Sequence, residues 1–183
     1  MTRIVAGDLG GRRLQVPPGA TRPTSEKVRE AVGSALAALN AIDGASVLDL
    51  YAGSGAVALE LLSRGAAEAV LVEQATKAAA VARANIKSVG VRATVVGADV
   101  RTYVAQTATA KFDVVFIDPP YALPTSDVDT VLHLLTTQGW LAPGAVVAVE
   151  RSRRDEPITW PEGLAEYRVK KYGDTVLHYG TAP

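Results

Sequence analysis

Five short, apolar, valine-rich runs punctuate this chain at 46–50, 69–73, 93–96, 112–118 and 145–150, and each gap between them contains a helix-length stretch. Runs without polar alternation suit strands buried on both faces of a parallel sheet. The intervening segments 56–64, 75–88, 100–106 and 127–138 read as helices. In the last of these, Val128, Val131, Leu132 and Leu135 recur at i, i+3, i+4 and i+7, which places them on one face. Alternation of this kind predicts an α/β, Rossmann-like doubly wound sheet.

Two flanks break the alternation. Residues 3–6 and 12–16 surround a Gly-Asp-Leu-Gly-Gly turn and predict an N-terminal β-hairpin extension. A helix should follow Pro23, with Thr24 as N-cap, Glu26 in its first turn, and an apolar face of Val28, Ala31, Val32, Ala35, Leu36 and Leu39. Near the other end, 167–172 and 175–179 flank Gly173-Asp174 and predict a closing antiparallel hairpin. The expected organisation is an arm, 1–20, followed by one domain, 21–183.

The chain has no cysteine, which excludes a disulfide framework, a thiolate zinc site, an iron–sulfur cluster and a cysteine nucleophile. His133 and His178 lie far apart without obvious partners, so no metal site is expected. The first residues lack the apolar run of a secretory signal, and no stretch is long enough to span a bilayer. A cytoplasmic protein without a membrane partner is expected. At 183 residues the chain can bury roughly two-thirds of its unfolded surface, so it needs no covalent staple.

The first motif runs from Val47 to Ala58. It is a strand ending at Asp49-Leu50-Tyr51, a turn Ala52-Gly53-Ser54-Gly55, and a helix start. Glycine allows positive φ and close backbone approach, and the helix start offers free N–H groups to a ligand. Gly53, Gly55 and Ala58 fit the G-x-G-x-x-G/A pattern, and Glu73 closes the next strand, where a carboxylate can accept both hydroxyls of a ribose. Spacing alone does not separate a nicotinamide dinucleotide from S-adenosylmethionine. Asp49 tilts the choice toward the latter, because a carboxylate there attracts a methionine amino group and repels a pyrophosphate. Asp49 would otherwise cap amides of the glycine turn. Asp99, after the third run, suits either the adenine amino group or the N-cap of the next helix.

The second motif is Asp118-Pro119-Pro120-Tyr121, at the end of the fourth run. Two prolines remove backbone donors and stiffen the turn. What remains is a set of acceptors, the Asp118 carboxylate and the Pro119 carbonyl, which suits an exocyclic amine with two N–H donors. Tyr121 offers a flat face for a base. Acceptors on both N–H groups favour a pyramidal nitrogen with its lone pair aimed at a methyl carbon, so catalysis would rest on positioning and electrostatics.

With these motifs the chain resembles class I S-adenosylmethionine-dependent methyltransferases, and more closely the RsmD family, which methylates a guanine N2 of 16S rRNA. The subfamily segments are Gly11-Arg12-Arg13-Leu14, Arg22-Pro23-Thr24 with Val28-Arg29-Glu30, and Ser63-Arg64-Gly65-Ala66. The resemblance implies a seven-stranded sheet with its last strand antiparallel. It implies a cofactor pocket formed by Asp49, Tyr51, Ala52, Gly53, Ser54, Gly55, Glu73 and Asp99, and catalysis at Asp118, Pro119, Pro120 and Tyr121. It implies a flipped guanine of 16S rRNA, within a 30S particle or assembly intermediate, as substrate, and S-adenosylhomocysteine as product. A monomer is expected. The chain departs from the family at Val32-Gly33-Ser34, where Leu-Phe-Asn is usual, and at Tyr51, where phenylalanine is usual. Alternatives are amino-methylation of another base or of DNA, of the adenine-N6 type, an NAD-linked oxidoreductase, and a non-catalytic rRNA assembly factor.

Nineteen basic and nineteen acidic residues cancel, yet they are unevenly placed. Residues 1–29 hold six basic (Arg3, Arg12, Arg13, Arg22, Lys27, Arg29) and two acidic residues, while 30–150 hold seven basic and twelve acidic. Those six cations are the expected grip on the RNA backbone. Arg151, Arg153 and Arg154, after the fifth run, read equally as phosphate contacts or as a solvated charge run.

Overall fold

Apolar runs alternating with amphipathic segments fold into one sheet covered by helices on both faces. The computed structural model describes residues 1–19 and 24–183. In chain order the elements are β1 (Thr2–Arg3), β2 (Arg13–Leu14), α1 (Glu26–Ala38), β3 (Ser46–Leu50), α2 (Ala56–Ser63), β4 (Glu68–Val72), α3 (Thr76–Val89), β5 (Ala93–Val96), α4 (Val100–Val104), β6 (Phe112–Ile117), α5 (Thr125–Thr137), β7 (Leu141–Ser152), β8 (Ala165–Tyr172) and β9 (Thr175–Thr181). The main sheet has the order β5-β4-β3-β6-β7-β9-β8. Its first five strands are parallel, and β9 inserts antiparallel between β7 and β8. The expected α/β sheet of seven strands with an antiparallel last strand is therefore present, as is the N-terminal hairpin.

Residues of β3 and β6 alternate between two cores, because successive side chains leave opposite faces of a strand. Val47, Val114 and Phe116 pack beneath α1, α2 and α3, while Leu48, Leu50, Val115 and Ile117 pack beneath α4 and α5. The predicted stripe Val128, Val131, Leu132 and Leu135 is fully buried in the second core. Trp140 reinforces it by donating from Nε1 to the Val104 carbonyl at 2.9 Å.

The arm is tied closely to the rest of the chain. The β1–β2 ladder pairs only Thr2 with Leu14 and Arg3 with Arg13. Backbone bonds from Ile4 N–H to the Arg12 carbonyl and from Gly11 N–H to the Ile4 carbonyl continue the hairpin, and other arm amides bond to α2. The Val5 and Ala6 N–H groups donate to the Glu60 carboxylate at 2.7 and 3.0 Å, and the Leu9 N–H donates to Ser63 Oγ at 2.9 Å. Ile4 and Leu14 are buried in the first core, so the arm is packed into the main body.

Arg29, expected to touch RNA, is corrected by its surroundings. It is 1% exposed and donates to the Arg3 carbonyl and to Thr2 Oγ1, both at 2.7 Å, with Glu60 at 3.7 Å. Burial lowers its pKa and Glu60 opposes that shift. A guanidinium enclosed by the arm and α2 cannot reach a phosphate; it fastens the arm. Where the family has bulky residues, Gly33 lets the Arg64 side chain lie against α1. A Cβ at that position would come within 2.5 Å of the Arg64 guanidinium, which pairs with Glu60.

Thr24 is likewise not the cap of α1. The adjacent Ser25, extended at φ −63 and ψ 155, accepts from the Val28 N–H at 3.2 Å, the geometry an N-cap needs. This leaves the Thr24 side chain to point elsewhere.

Candidate active site

The strand order reverses between β3 and β6, and ligands of open α/β sheets bind beyond the carboxyl ends of strands at such a point. Leu50 pairs with Ile117 there, so the glycine turn after β3 and the Asp118 turn after β6 start side by side. A cavity of about 820 Å³ opens above them, and its lining includes Asp49, Gly53, Glu73, Asp118, Tyr121 and Glu150.

The glycine turn is shaped by its backbone. Tyr51, Gly53 and Gly55 have φ of 60, 56 and 81°. Gly55 is the N-cap of α2, and a Cβ there would lie 2.7 Å from Leu71 Cδ2, so only glycine fits. Glu73 braces the turn: Oε1 accepts from the Gly53 N–H at 2.9 Å and Oε2 from the Ala75 N–H at 2.8 Å. Ser54 is held from behind. Its carbonyl accepts from Asn85 Nδ2 at 3.0 Å, and the same side chain grips the arm, donating to the Gln15 carbonyl at 3.0 Å and accepting from the Gln15 N–H at 2.8 Å. One buried amide thus joins the arm to the turn.

Asp49 sits on the cavity floor, 2% exposed, and Oδ2 accepts from the Ala58 N–H at 3.2 Å. Burial holds its carboxyl well above the usual carboxylate range, the Ala58 bond pulls it back, and the nearby Asp118 and Glu73 raise it further. A cationic group arriving here meets a carboxylate whose ionisation it stabilises. Tyr51 lines the same space, its phenol pushed up to about 12 by burial and by Asp99 and Asp127. Asp99 itself caps α4, accepting from the Thr102 N–H at 2.9 Å and from Thr102 Oγ1 at 3.0 Å.

At the other end of the cavity, Thr24 Oγ1 donates to Asp118 Oδ2 at 2.7 Å and lies 3.4 Å from Glu150 Oε2. A hydroxyl has one proton, so the shorter contact takes it. Glu150 lies near the end of β7, the strand beside β6, and is 5% exposed. Pro119 and Pro120 line the wall without N–H groups, and Tyr121 stands at the rim, 59% exposed. Arg151 is buried, and donates to the Leu123 carbonyl at 3.1 Å and to Thr125 Oγ1 at 3.2 Å. It also lines the cavity and pairs with Asp155 at 3.3 Å, so it braces the loop after Asp118.

Asp49, Tyr51, Ala52, Gly53, Ser54, Glu73 and the Asp118–Tyr121 motif thus share one cavity. Gly55 and Asp99 act just behind it. Of the arm's cations, Arg3 pairs with Glu26 and Arg12 donates to the Ser88 carbonyl at 2.7 Å, while Arg13 and Lys27 are exposed. Arg22 lies outside the described residues. Sequence reasoning missed Glu150, although an acid closing an apolar run is the same signal that marked Asp118. It also missed Asn85, which nothing in its helix distinguishes.

Residues 2–181 match the family described as conserved hypothetical protein 95. Ribosomal RNA small subunit methyltransferase D of Escherichia coli is 37% identical over 177 residues, covering 93% of this chain and 85% of that protein. Its namesake from Haemophilus influenzae is 31% identical over 176 residues, covering 93% and 89%. The solved structure of yhhF from Escherichia coli, described as a candidate methyltransferase, superposes with a TM-score of 0.88 at 31% identity, covering 98% of this chain and 97% of that one.

Proposed function

The chain belongs to this family, the RsmD methyltransferases, and on that premise we propose that it transfers a methyl group from S-adenosylmethionine to the exocyclic N2 amine of a guanine in small-subunit rRNA. The observation that carries this reading is the meeting of the braced glycine turn and Asp118-Pro119-Pro120-Tyr121 in one cavity. The relatives named as rRNA small subunit methyltransferases support RNA as the substrate, within a 30S particle or an assembly intermediate. The arm, 1–20, and the body, 21–183, would act together on it.

The residues fit the cofactor. Asp49, raised by burial and by two neighbouring carboxylates, suits the ammonium of a methionine moiety. Glu73 and the Gly53 turn form the wall expected against a ribose, and both Glu73 oxygens keep lone pairs beyond the amides they accept from. When bound, the cofactor supplies a methyl group already activated by its sulfonium charge.

The chain's own residues do the rest. Asp118 and the Pro119 carbonyl accept from the amine and fix its orientation. Thr24, by donating to Asp118 Oδ2, holds that carboxylate in place. Tyr121 stacks on the base at the rim. Guanine presents N1–H beside its N2 amine, a row of donors, whereas adenine presents an acceptor at N1. A wall carrying both Asp118 and Glu150, with no N–H on Pro119 or Pro120, favours the guanine edge.

Incubating the protein with labelled S-adenosylmethionine and undermethylated 30S particles, followed by nucleoside analysis, tests the reading. Label in N2-methylguanosine is the expected outcome; label only in another nucleoside, or none in RNA, refutes it.

A further inference from the structure

Five carboxylates line the cavity, Asp49, Glu73, Asp118, Glu150 and Asp155, and they outnumber the lining cations Lys77 and Arg151. Such a wall accepts a base edge and repels phosphate, so an RNA substrate must leave its backbone outside and have it held there. The arm is less equipped for this than its composition indicates. Arg29 is buried, Arg3 is paired with Glu26, and Arg12 is spent on the end of α3.

A second set of cations stands at the opposite rim. Ser152 and Asp155 line the cavity, and the turn between them carries the exposed Arg153 and Arg154. This turn is tied to the β8–β9 hairpin tip: the Arg153 N–H donates to the Asp174 carbonyl at 2.9 Å and its Nη1 to Gly173 O at 3.5 Å. From the tip, β8 runs along the outer edge of the sheet, bonded only to β9, with Ala165 to Lys171 all exposed. Its register sets Arg168 and Lys170 opposite Tyr179 and Leu177, on the face of the first core, with Lys171 on the other. None of these five cations forms a salt bridge among the described residues. Tyr167, 53% exposed, lies in the same strand.

We propose that the turn after β7 and the edge strand β8 form a track for the RNA backbone, with Arg153, Arg154, Arg168, Lys170 and Lys171 holding phosphates while the target base enters the acidic cavity. This rests on the reading of RNA as substrate. Lysines on an edge strand also discourage strand pairing between molecules. The experiment separates the two roles.

Binding of the full chain to a 16S rRNA transcript is measured across a salt series, beside the combined variant Arg154→Ala, Lys170→Ala, Lys171→Ala. The variant should bind about tenfold more weakly or worse at low salt, and its log–log salt slope should flatten by about 2, roughly 0.7 for each of three lost contacts. Its melting temperature and its calorimetric affinity for S-adenosylhomocysteine should match the parent. Unchanged RNA affinity and slope would overturn the track, as would a variant whose sole change is self-association by sedimentation. A parent that labels no RNA overturns the substrate reading and the track together. A parent that methylates RNA beside a variant that binds it equally well overturns the track alone.

Discussion

At the scale of single residues, Asp49 sets function against stability. Its carboxyl is raised, so the folded chain keeps a proton that the unfolded chain releases. The stability linked to that proton is present in acid, below the ordinary aspartate value, and is lost as pH rises through the raised one. Asp49→Asn should therefore raise the melting temperature of the ligand-free protein at pH 7 by roughly 2–4 °C, the shift that about 1 kcal/mol produces in a chain of this size. The gain should vanish near pH 4. Calorimetry should show that the same variant no longer binds S-adenosylhomocysteine. Thr24 makes the complementary case. Thr24→Val removes the donor at 2.7 Å from Asp118 and should lower kcat about tenfold with the cofactor KM unmoved, whereas Thr24→Ser should retain activity. Steady-state kinetics separates the two. Asp49 and Asp118 were legible in the sequence because each is an acid in an apolar run directly before a distinctive turn. Thr24 was not, since it and Ser25 are both plausible caps, and only the path of the chain decides which hydroxyl turns inward.

Among elements, the joint between arm and body carries the most consequence. Glu60 accepts from two arm amides and neutralises Arg29 and Arg64 inside α2. Glu60→Ala leaves buried guanidinium charge without its partner and should cost about 3–5 kcal/mol in urea unfolding. The conservative Glu60→Gln should instead unlock the arm, seen as lost exchange protection of the Val5 and Ala6 amides. Asn85 links the same arm to the cofactor turn, so Asn85→Ala should weaken S-adenosylhomocysteine binding about tenfold by calorimetry although the residue lines no wall of the cavity. The strands and helices themselves were readable, because an apolar run or a 3.6-residue stripe carries its own period. The joint was not readable. Glu60 stands alone among the apolar residues of Ala56–Leu62, Arg29 looks like any basic residue near a terminus, and their meeting depends on contacts far apart in the chain.

For the molecule as a whole, the arm and the body share a core through Ile4 and Leu14. Thermal unfolding should accordingly show one transition, and removal of residues 2–18 should lower the melting temperature by more than about 5 °C, because it takes two fully buried aliphatic side chains, Ile4 and Leu14, out of the core, each worth roughly 1.5–3 kcal/mol. Charge segregation along the chain was visible in the sequence, but which cations face water was not; packing converts Arg29 and Arg151 into braces and leaves β8 bearing the exposed set. The placement of β9 has a further consequence, during synthesis. The slot between β7 and β8 belongs to a strand that emerges after both. Until Thr175–Thr181 has left the ribosome, the outer edge of β7 presents unsatisfied N–H and C=O groups beside the finished parallel strands. A nascent or prematurely terminated chain at that stage offers a template for pairing with its neighbours. Stop codons placed before residue 175 should therefore yield aggregates in place of a partly active enzyme.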